Sequence, residues 1–230
     1  MLFRSTLVAE SAAKRVLIPG GDVDGAWTGG LPFDDSSWIA GTGGVGYERS
    51  TGFESLIGID VRTRMYNVNA GCYIRIPFSL TAAGVEGLTS LILRVRYDDG
   101  FVAYVNGVEV ARDRFTGTPQ WNSLANDSHA DAEAVVPVEF DVSSRIGLLR
   151  AGENLLAVHA MNASPTSSDF LLSVDLVTAE DGPQADPSVS PTTLTYGGPI
   201  PLTDDAHVKA RILHSGQWSA LCEAVYTIER

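Results

Sequence analysis

Residues 91–111, LILRVRYDDGFVAYVNGVEVA, constrain the fold of this chain more than any other stretch. The first part alternates Leu, Val and Tyr with Ile and Arg, which is the period of a strand with one buried face. The run breaks at Asp98, Asp99 and Gly100 and turns again at Asn106-Gly107, a dipeptide typical of a type I′ hairpin. The pattern predicts a three-stranded meander. A meander cannot bury both its faces alone, so a second sheet must cover it.

The rest of the chain continues this pattern of short apolar runs separated by turns. With 23 Gly and 11 Pro in 230 residues, the composition suits tight turns better than helices. Roughly eight to ten predicted strands indicate an all-β fold, an antiparallel jelly-roll β-sandwich over residues 1–178. Residues 179–190, rich in acidic residues and proline, are predicted to be a linker. Residues 191–230 are predicted to form a small three-stranded β appendage.

The charge of the chain excludes some partners. A formal net charge of −12 and a pI near 4.6 repel phosphate backbones, so nucleic acid is not expected to bind. No apolar stretch is long enough to span a bilayer, and the N-terminus lacks a signal-peptide core. We therefore expect either a processed secreted protein or an internal piece of a longer chain. Cys72 and Cys222 lie far apart in sequence, and a disulfide between them is not expected.

Two family resemblances follow from these residues. The segments YIRIPFSL, YDDGFVAYVNG, PQWNSLA, AGEN and SSDFLL, in this order, resemble the galactose-binding-like jelly-roll modules of secreted bacterial proteins with lamin-tail or spore-coat-type domains. They are more distantly similar to sugar-binding domains attached to glycoside hydrolases. The segment TYGGPIPLTDDAHVKARILHSGQWSALCEAVYTI resembles the C-terminal half of a chitobiase-type fibronectin-like module, without its first half. The resemblance implies an extracellular or cell-surface location, further domains in a parent chain and no catalytic residues.

The long polar loop at residues 112–134 is the preferred binding candidate. Trp121 offers a flat apolar face to a sugar ring, and Asn122, His129 and Asp131 offer hydrogen bonds to its hydroxyls. Loops of this length are more often functional than short ones. The alternative is that Trp121 anchors the loop to the sandwich.

Two acidic motifs allow either a binding or a turn interpretation. Asp98 and Asp99 are suited to a cation or to sugar hydroxyls, and Asp99 is taken as a ligand-binding candidate, but aspartates in turns usually bond their own backbone. Asp98 is predicted to be the more buried of the two. Asp22 and Asp24 form a D-x-D-G fragment suited to calcium, against the alternative of a solvated loop. The resemblance keeps a structural calcium open, and no cofactor is required.

Catalysis receives little support from the sequence. His159 lies in an apolar run and is predicted to be a neutral core histidine with satisfied nitrogens. The nucleophile-elbow, zinc-protease, C-x-x-C and phosphate-loop motifs are absent from the sequence. We therefore expect a non-catalytic carbohydrate-binding module whose partner is a glycan. A structural or adhesive spacer is the second hypothesis. The third is a glycoside hydrolase, which would have a pocket with two suitably spaced carboxylates.

Overall fold

The computed structural model describes residues 3–180, 206–210, 213–214, 217–218 and 222–227. The chain divides into two compact units, Arg4–Ala179 and a smaller unit made of Met1–Phe3 with Glu180–Arg230. The larger unit is a sandwich of two six-stranded, mainly antiparallel sheets, so the predicted fold class is confirmed. Most of the predicted linker, residues 181–190, lies outside the described residues, as do residues 191–205 of the predicted appendage.

The elements are numbered in chain order. The strands of the two main sheets are β1 (Phe3–Val8), β2 (Lys14–Leu17), β3 (Ile39–Gly41), β4 (Gly44–Glu48), β5 (Ile57–Asp60), β6 (Gly71–Leu80), β7 (Ile92–Asp98), β8 (Gly100–Val105), β9 (Val108–Asp113), β10 (Val138–Asp141), β11 (Gly152–Met161) and β12 (Asp169–Glu180). The helices are α1 (Arg62–Met65), α2 (Ala82–Glu86) and α3 (Asp131–Ala134), with 3₁₀ turns at Gly25–Thr28, Glu54–Leu56 and Ser143–Leu148. Within the described ranges, no helix is long and apolar enough to cross a membrane.

The two sheets have different strand orders. The first sheet runs β10-β7-β12-β4-β5, with β1 also paired to β12, and the second runs β3-β2-β6-β11-β8-β9. Along these two strand orders the pairs are antiparallel, except for β4 and β5, which are parallel. Both central strands, β11 and β12, come late in the sequence and pair with strands from its first half.

The prediction of a single three-stranded meander is wrong. Strand β7 belongs to the first sheet, whereas β8 and β9 belong to the second. The chain changes sheet at Asp99, between Asp98 at the end of β7 and Gly100 at the start of β8. The Asn106-Gly107 hairpin between β8 and β9 is confirmed, with φ angles of 49° and 89° at its two central residues. The first break in the pattern is therefore a corner between layers instead of a turn within one.

The side chains of β11 alternate between two apolar clusters. Leu156, Val158 and Ala160 face the main core between the sheets, together with Leu93, Val95 and Tyr97 of β7. Leu155 and Ala157 point the other way and join a second cluster on the outer face of the second sheet. Apolar side chains are therefore buried on the outer face of the second sheet as well as in the core between the two sheets.

The loop between β2 and β3 covers the outer face of the second sheet. Trp27 stacks on Tyr73 of β6, with ring centroids 4.1 Å apart and an interplanar angle of 10°, and Trp38 is buried beside them. Arg75 holds the loop in place, because its guanidinium donates to the Trp27 carbonyl and, over 2.6 Å, to Asp35. Trp27 and Trp38 thus anchor an ordered loop, and Phe33 is half-buried against Trp38.

Cys72 lies on the inner face of β6 as a free, fully buried thiol. Burial raises the pKa of this thiol well above its ordinary value, because the thiolate would lose its hydration. Cys72 is therefore a small apolar core residue in this fold.

The smaller unit contains two short antiparallel pairs among its described residues. Strand β13 (Ala206–Ala210) pairs with β16 (Cys222–Tyr226), and β14 (Leu213–His214) pairs with β15 (Gln217–Trp218).

Candidate functional site

The corner between β7 and β8 is the structural origin of the candidate site. The backbone N–H of Asp99 donates to the Met161 carbonyl over 3.0 Å, which ties the corner to the end of β11. Gly100 permits a close approach of chain segments. A Cβ at this position would lie 3.0 Å from the Ala125 Cβ and 3.1 Å from the carbonyl oxygens of Asp113 and Arg114. The loop after β9 can therefore fold back over the corner.

The Asp99 carboxylate holds two loops together. Its Oδ1 accepts from the backbone N–H of His129 and its Oδ2 from that of Ala163, each over 2.8 Å. The side chain is only 5% exposed, so both bonds are shielded from water. The interpretation in which Asp99 bonds its own turn is wrong, because both partners lie tens of residues away along the chain. Asp99 connects the loop after β9 with the loop after β11.

His129 is fixed in one orientation beside this carboxylate. Its Nδ1 lies 2.8 Å from the Tyr97 carbonyl oxygen, and since a carbonyl only accepts, this nitrogen carries the proton. The imidazole packs on the Tyr97 ring at 4.4 Å, and its Nε2 lies 3.7 Å from a Glu133 carboxylate oxygen. The ring is buried, and its Nδ1 is used in a hydrogen bond within the fold.

A solvent-accessible cavity of about 330 Å³ lies beside the corner between β7 and β8. We call it the acidic cavity. Its lining residues are Asp98, Asp99, Ser128, His129, Ala130, Asp131, Ala163, Ser164, Ser167, Ser168 and Asp169. Four of them are aspartates, four are serines, and none is Lys or Arg. The wall therefore offers many oxygen atoms to a ligand and no Lys or Arg charge.

Asp169 and Asp131 occupy different positions in this wall. Asp169 begins β12, is nearly buried, and accepts from the Ser167 and Ser168 hydroxyls over 3.2 and 3.3 Å. Burial raises the pKa of Asp169, with a smaller contribution from Asp131. Asp131 begins α3 and is exposed to solvent. Asp131 is therefore the freely accessible carboxylate of the cavity.

Asp98 is the most buried acid in the wall, at 3% exposed, which confirms that it is the more buried of the adjacent pair. Its Oδ2 has no hydrogen-bond partner in the structure. Burial, and after it the negative charge of Asp99, raise the pKa of Asp98 to about 9, with further contributions from Asp169 and Asp131. Without a counter-charge, Asp98 therefore holds a proton at neutral pH.

The structure divides the predicted ligand-binding residues between two places. Asp99, His129 and Asp131 line the acidic cavity, whereas Trp121 and Asn122 are not among its lining residues. Trp121 is half-buried against the outer cluster that contains Trp27, and its carbonyl accepts from Asn69 Nδ2 over 3.1 Å. Asn122 is exposed. These contacts are those of an anchor, so the alternative proposed for Trp121 has direct structural support.

Sequence reasoning missed Asp169 and the serines around it. They lie in the segment NASPTSSD, residues 162–169, which connects β11 to β12. The available signal was a cluster of three hydroxyls, Ser164, Ser167 and Ser168, next to an aspartate at the first position of a strand. What the sequence does not contain is the pairing of β12 with β7, which brings this turn beside Asp98.

The predicted calcium residues Asp22 and Asp24 are both exposed. Asp24 caps the turn Gly25–Thr28, accepting from the Ala26 N–H over 2.8 Å, and its exposure agrees with the alternative of a solvated loop. Over the described residues, no group of three or more His, Cys, Asp or Glu side chains could hold a metal ion. Calcium binding at Asp22 and Asp24 stays a prediction.

The other histidine of interest, His159, is not a satisfied core residue. It is fully buried on β11, with its ring 4.7 Å from that of Tyr73 and 6.5 Å from that of Trp27. Neither ring nitrogen has a hydrogen-bond partner, so the prediction of satisfied nitrogens is wrong. Burial lowers the pKa of His159 to about 3, and the ring is neutral at physiological pH.

Comparisons with known proteins give likeness of structure alone. No family model matches the sequence, and no curated protein matches it. Among solved structures, a Bacteroides uniformis β-glucuronidase 2 is 18% identical with a TM-score of 0.47, over 77% of this chain and 18% of that one. A glycosyl hydrolase family 2 member from Bacteroides cellulosilyticus is 15% identical with a TM-score of 0.43, over 98% of this chain and 29% of that one. The chain thus spans less than a third of either structure, and the function proposed below rests on the acidic cavity.

Proposed function

We propose that this chain is a non-catalytic carbohydrate-binding module of a larger secreted or surface bacterial protein. In this proposal the sandwich is a galactose-binding-like jelly roll, and the smaller unit is a partial chitobiase-type module. The observation that carries the proposal is the acidic cavity, which brings together Asp99, His129 and Asp131. Its volume of about 330 Å³ is at the small end of the range for ligand sites.

The chemistry of the cavity wall suits a polyhydroxylated ligand. Sugar hydroxyls both donate and accept, and the accessible carboxylate of Asp131 is an acceptor whose charge strengthens each bond it receives. The Ser128 and Ser164 hydroxyls can donate as well as accept. Because four acids line the cavity without Lys or Arg, neutral or amino sugars are favoured over uronic acids.

We expect neutral or amino polysaccharides to retard the chain in native affinity gels more than acidic ones such as polygalacturonate. Gels run with a chelator exclude metal bridging, so the comparison reports the charge of the glycan. Asp131→Ala should weaken retardation roughly tenfold or more, the effect of losing one hydrogen bond to a charged group.

The matched control is Asp127→Ala, because Asp127 lies in the same loop, is 78% exposed, and does not line the cavity. Equal retardation of the two variants, or a preference for acidic polysaccharides, would contradict the proposal.

A structural or adhesive spacer is the second candidate, and one observation favours it. Both oxygens of Asp99 and the Nδ1 of His129 are used in bonds within the fold, and Trp121 packs on the outer cluster. Under this candidate, no polysaccharide retards the chain and Asp131→Ala has no effect on its migration.

The absence of enzymatic activity is also part of the proposal. A glycosidase needs two carboxylates that both reach the scissile bond. Both oxygens of Asp99 accept hydrogen bonds from backbone N–H groups, and Asp98 is only 3% exposed. Asp169 is nearly buried and bonded to two serines, which leaves Asp131 as the accessible acid. The cavity therefore lacks a usable pair.

We expect no hydrolysis of aryl glycosides or of any polysaccharide that the chain binds. The assay is release of aryl alcohol or reducing ends over long incubations, compared with the same preparation carrying Asp131→Asn. A rate above the buffer blank that disappears in this variant would show that the cavity is catalytic and would contradict the assignment.

A further inference from the structure

We propose that protonation of His159 opens the loop between β2 and β3, residues 18–38, while the two sheets stay folded. We call this segment the cover loop. The inference goes beyond glycan binding, because it concerns a change in the conformation of the chain alone. It rests on where the His159 ring lies, on what covers it and on how the cover loop is attached.

The first observation is a buried imidazole that the fold accepts only without charge. His159 is 0% exposed, and neither ring nitrogen has a hydrogen-bond partner among the described residues. The other buried histidine, His129, has its Nδ1 2.8 Å from the Tyr97 carbonyl oxygen. A charged group needs a partner or water far more than a neutral one does. The closed structure therefore accommodates His159 as the neutral ring.

The second observation is the position of this ring on the outer face of the second sheet. Along β11, Leu155 and Ala157 belong to the outer cluster, and His159 follows on the same face because side chains alternate along a strand. Trp27 of the cover loop stands edge-on to the ring, with centroids 6.5 Å apart and an interplanar angle of 88°. It also stacks on Tyr73, whose ring lies 4.7 Å from that of His159. Water can therefore reach this region through the cover loop without separating the two sheets.

The third observation is that the cover loop is attached by a few contacts and by no strand pairing. It contains one 3₁₀ turn and no strand. Asn69 Nδ2 donates to the Pro19 carbonyl over 2.7 Å, and the Gly107 N–H donates to the Thr28 carbonyl over 3.0 Å. The remaining polar attachment is the guanidinium of Arg75, described above. Segments held in this way open at lower free energy than the central strands of a sheet.

The groups around the ring offer no charge that would hold a proton on it. From β6 and β8 the ionisable neighbours are Tyr73 and Tyr104, and burial raises the pKa of each to about 12, so both are neutral. On the cover loop, Asp22 is exposed, and Asp35 is paired with Arg75 of β6. None of these groups hydrogen-bonds to His159. The charge of the imidazolium would therefore be uncompensated in the closed state.

The direction of the pH dependence follows from the two states of the loop. Burial lowers the pKa of His159 to about 3 in the closed state, whereas an exposed histidine titrates near pH 6.5. Between these values the open state takes up a proton that the closed state does not. The closed loop therefore loses stability as pH falls below about 6.5. Relative to pH 7, its opening constant should rise about threefold at pH 6 and about 25-fold at pH 5.

The test is native-state hydrogen exchange of the full chain, followed by NMR at pH 7, 6 and 5 and corrected for intrinsic exchange rates. The reporters are the amides of Gly29 and Gly107, which donate to the Ala26 and Thr28 carbonyls of the cover loop. Their protection factors should fall about 25-fold from pH 7 to pH 5, with little dependence on urea, as local opening requires. Protection at the centre of β12 should not fall, because the raised pKa of Asp98 stabilises the whole fold as pH decreases.

The decisive variants are His159→Phe and His159→Gln, which take up no proton, and in both the protection of the two reporters should be the same at pH 7 and pH 5. The matched control is Asp22→Asn, which removes an acid of the cover loop and should keep the 25-fold change. The inference is overturned if wild-type protection at Gly29 and Gly107 does not depend on pH, or if a folded His159 variant keeps the dependence. It is also overturned if the loss of protection has the urea dependence of global unfolding. These wild-type measurements decide the question even if neither variant folds.

Discussion

Asp98→Asn is expected to stabilise the protein by about 2–4 kcal/mol near neutral pH. The reason is that burial and neighbouring acids raise the pKa of Asp98 to about 9 in the folded state, whereas an unfolded aspartate titrates near pH 4. Asparagine has nearly the same shape and carries no charge at any pH. The substitution therefore removes the cost of keeping Asp98 protonated.

The sign of the pH dependence follows from proton counting. Between about pH 4 and 9 the folded state keeps the Asp98 proton and the unfolded state has lost it, so the wild type loses stability as pH rises, by at most about 1.4 kcal/mol per pH unit. The stability difference between Asp98→Asn and the wild type should thus be small near pH 4 and grow toward pH 8. Urea unfolding at several pH values with a chelator measures it, with Asp22→Asn as the matched control. A difference that stays constant with pH, or a less stable variant, would contradict the burial of an uncompensated acid.

Asp99→Ala is expected to destabilise the sandwich by about 2–5 kcal/mol. The change removes the acceptor of two buried N–H groups, those of His129 and Ala163, and each unsatisfied donor costs about 1–3 kcal/mol. The loss should concentrate in the two loops, so hydrogen exchange at these two amides should accelerate more than exchange in the central strands. Urea unfolding gives the total, and exchange measured by NMR gives its distribution.

Asp131→Ala is the control for this prediction, because Asp131 lines the same cavity but is exposed, and its loss should change stability by no more than about 0.5 kcal/mol. If Asp99→Ala were as stable as the wild type with unchanged protection of both amides, Asp99 would be a ligand-binding group and not a connector of loops.

The sandwich was predictable because its signals are local. The alternation along β7 sets which of its side chains are buried, and Asn106-Gly107 encodes its hairpin through two positive φ angles. The corner at Asp99 was not predictable in the same way. A turn within a sheet and a crossing between sheets break the alternation identically, and only long-range pairing distinguishes them: β7 pairs with β12, and β8 with β11.

The candidate site was predicted in part for the same reason. Asp99, His129 and Asp131 were selected as polar residues in turns and loops, and the structure places them in one cavity. Asp169 was not predicted because it lies about seventy residues after Asp98 in the chain. Only the pairing of β12 with β7 brings it to the cavity. The missing partner of Asp98 was equally invisible, because a sequence does not state which buried oxygen lacks a hydrogen-bond donor.

The central claim is that the acidic cavity is the recognition site of a non-catalytic module, and chemical-shift mapping tests it most directly. An ¹⁵N-labelled chain is titrated with an oligosaccharide of the polysaccharide that retards it most. We expect the largest amide shifts at Ser128, Asp131, Ser164 and Asp169, and we expect them to disappear in Asp131→Ala. Shifts centred on Trp121 and Asn122, or no saturable shifts with any glycan, would contradict it.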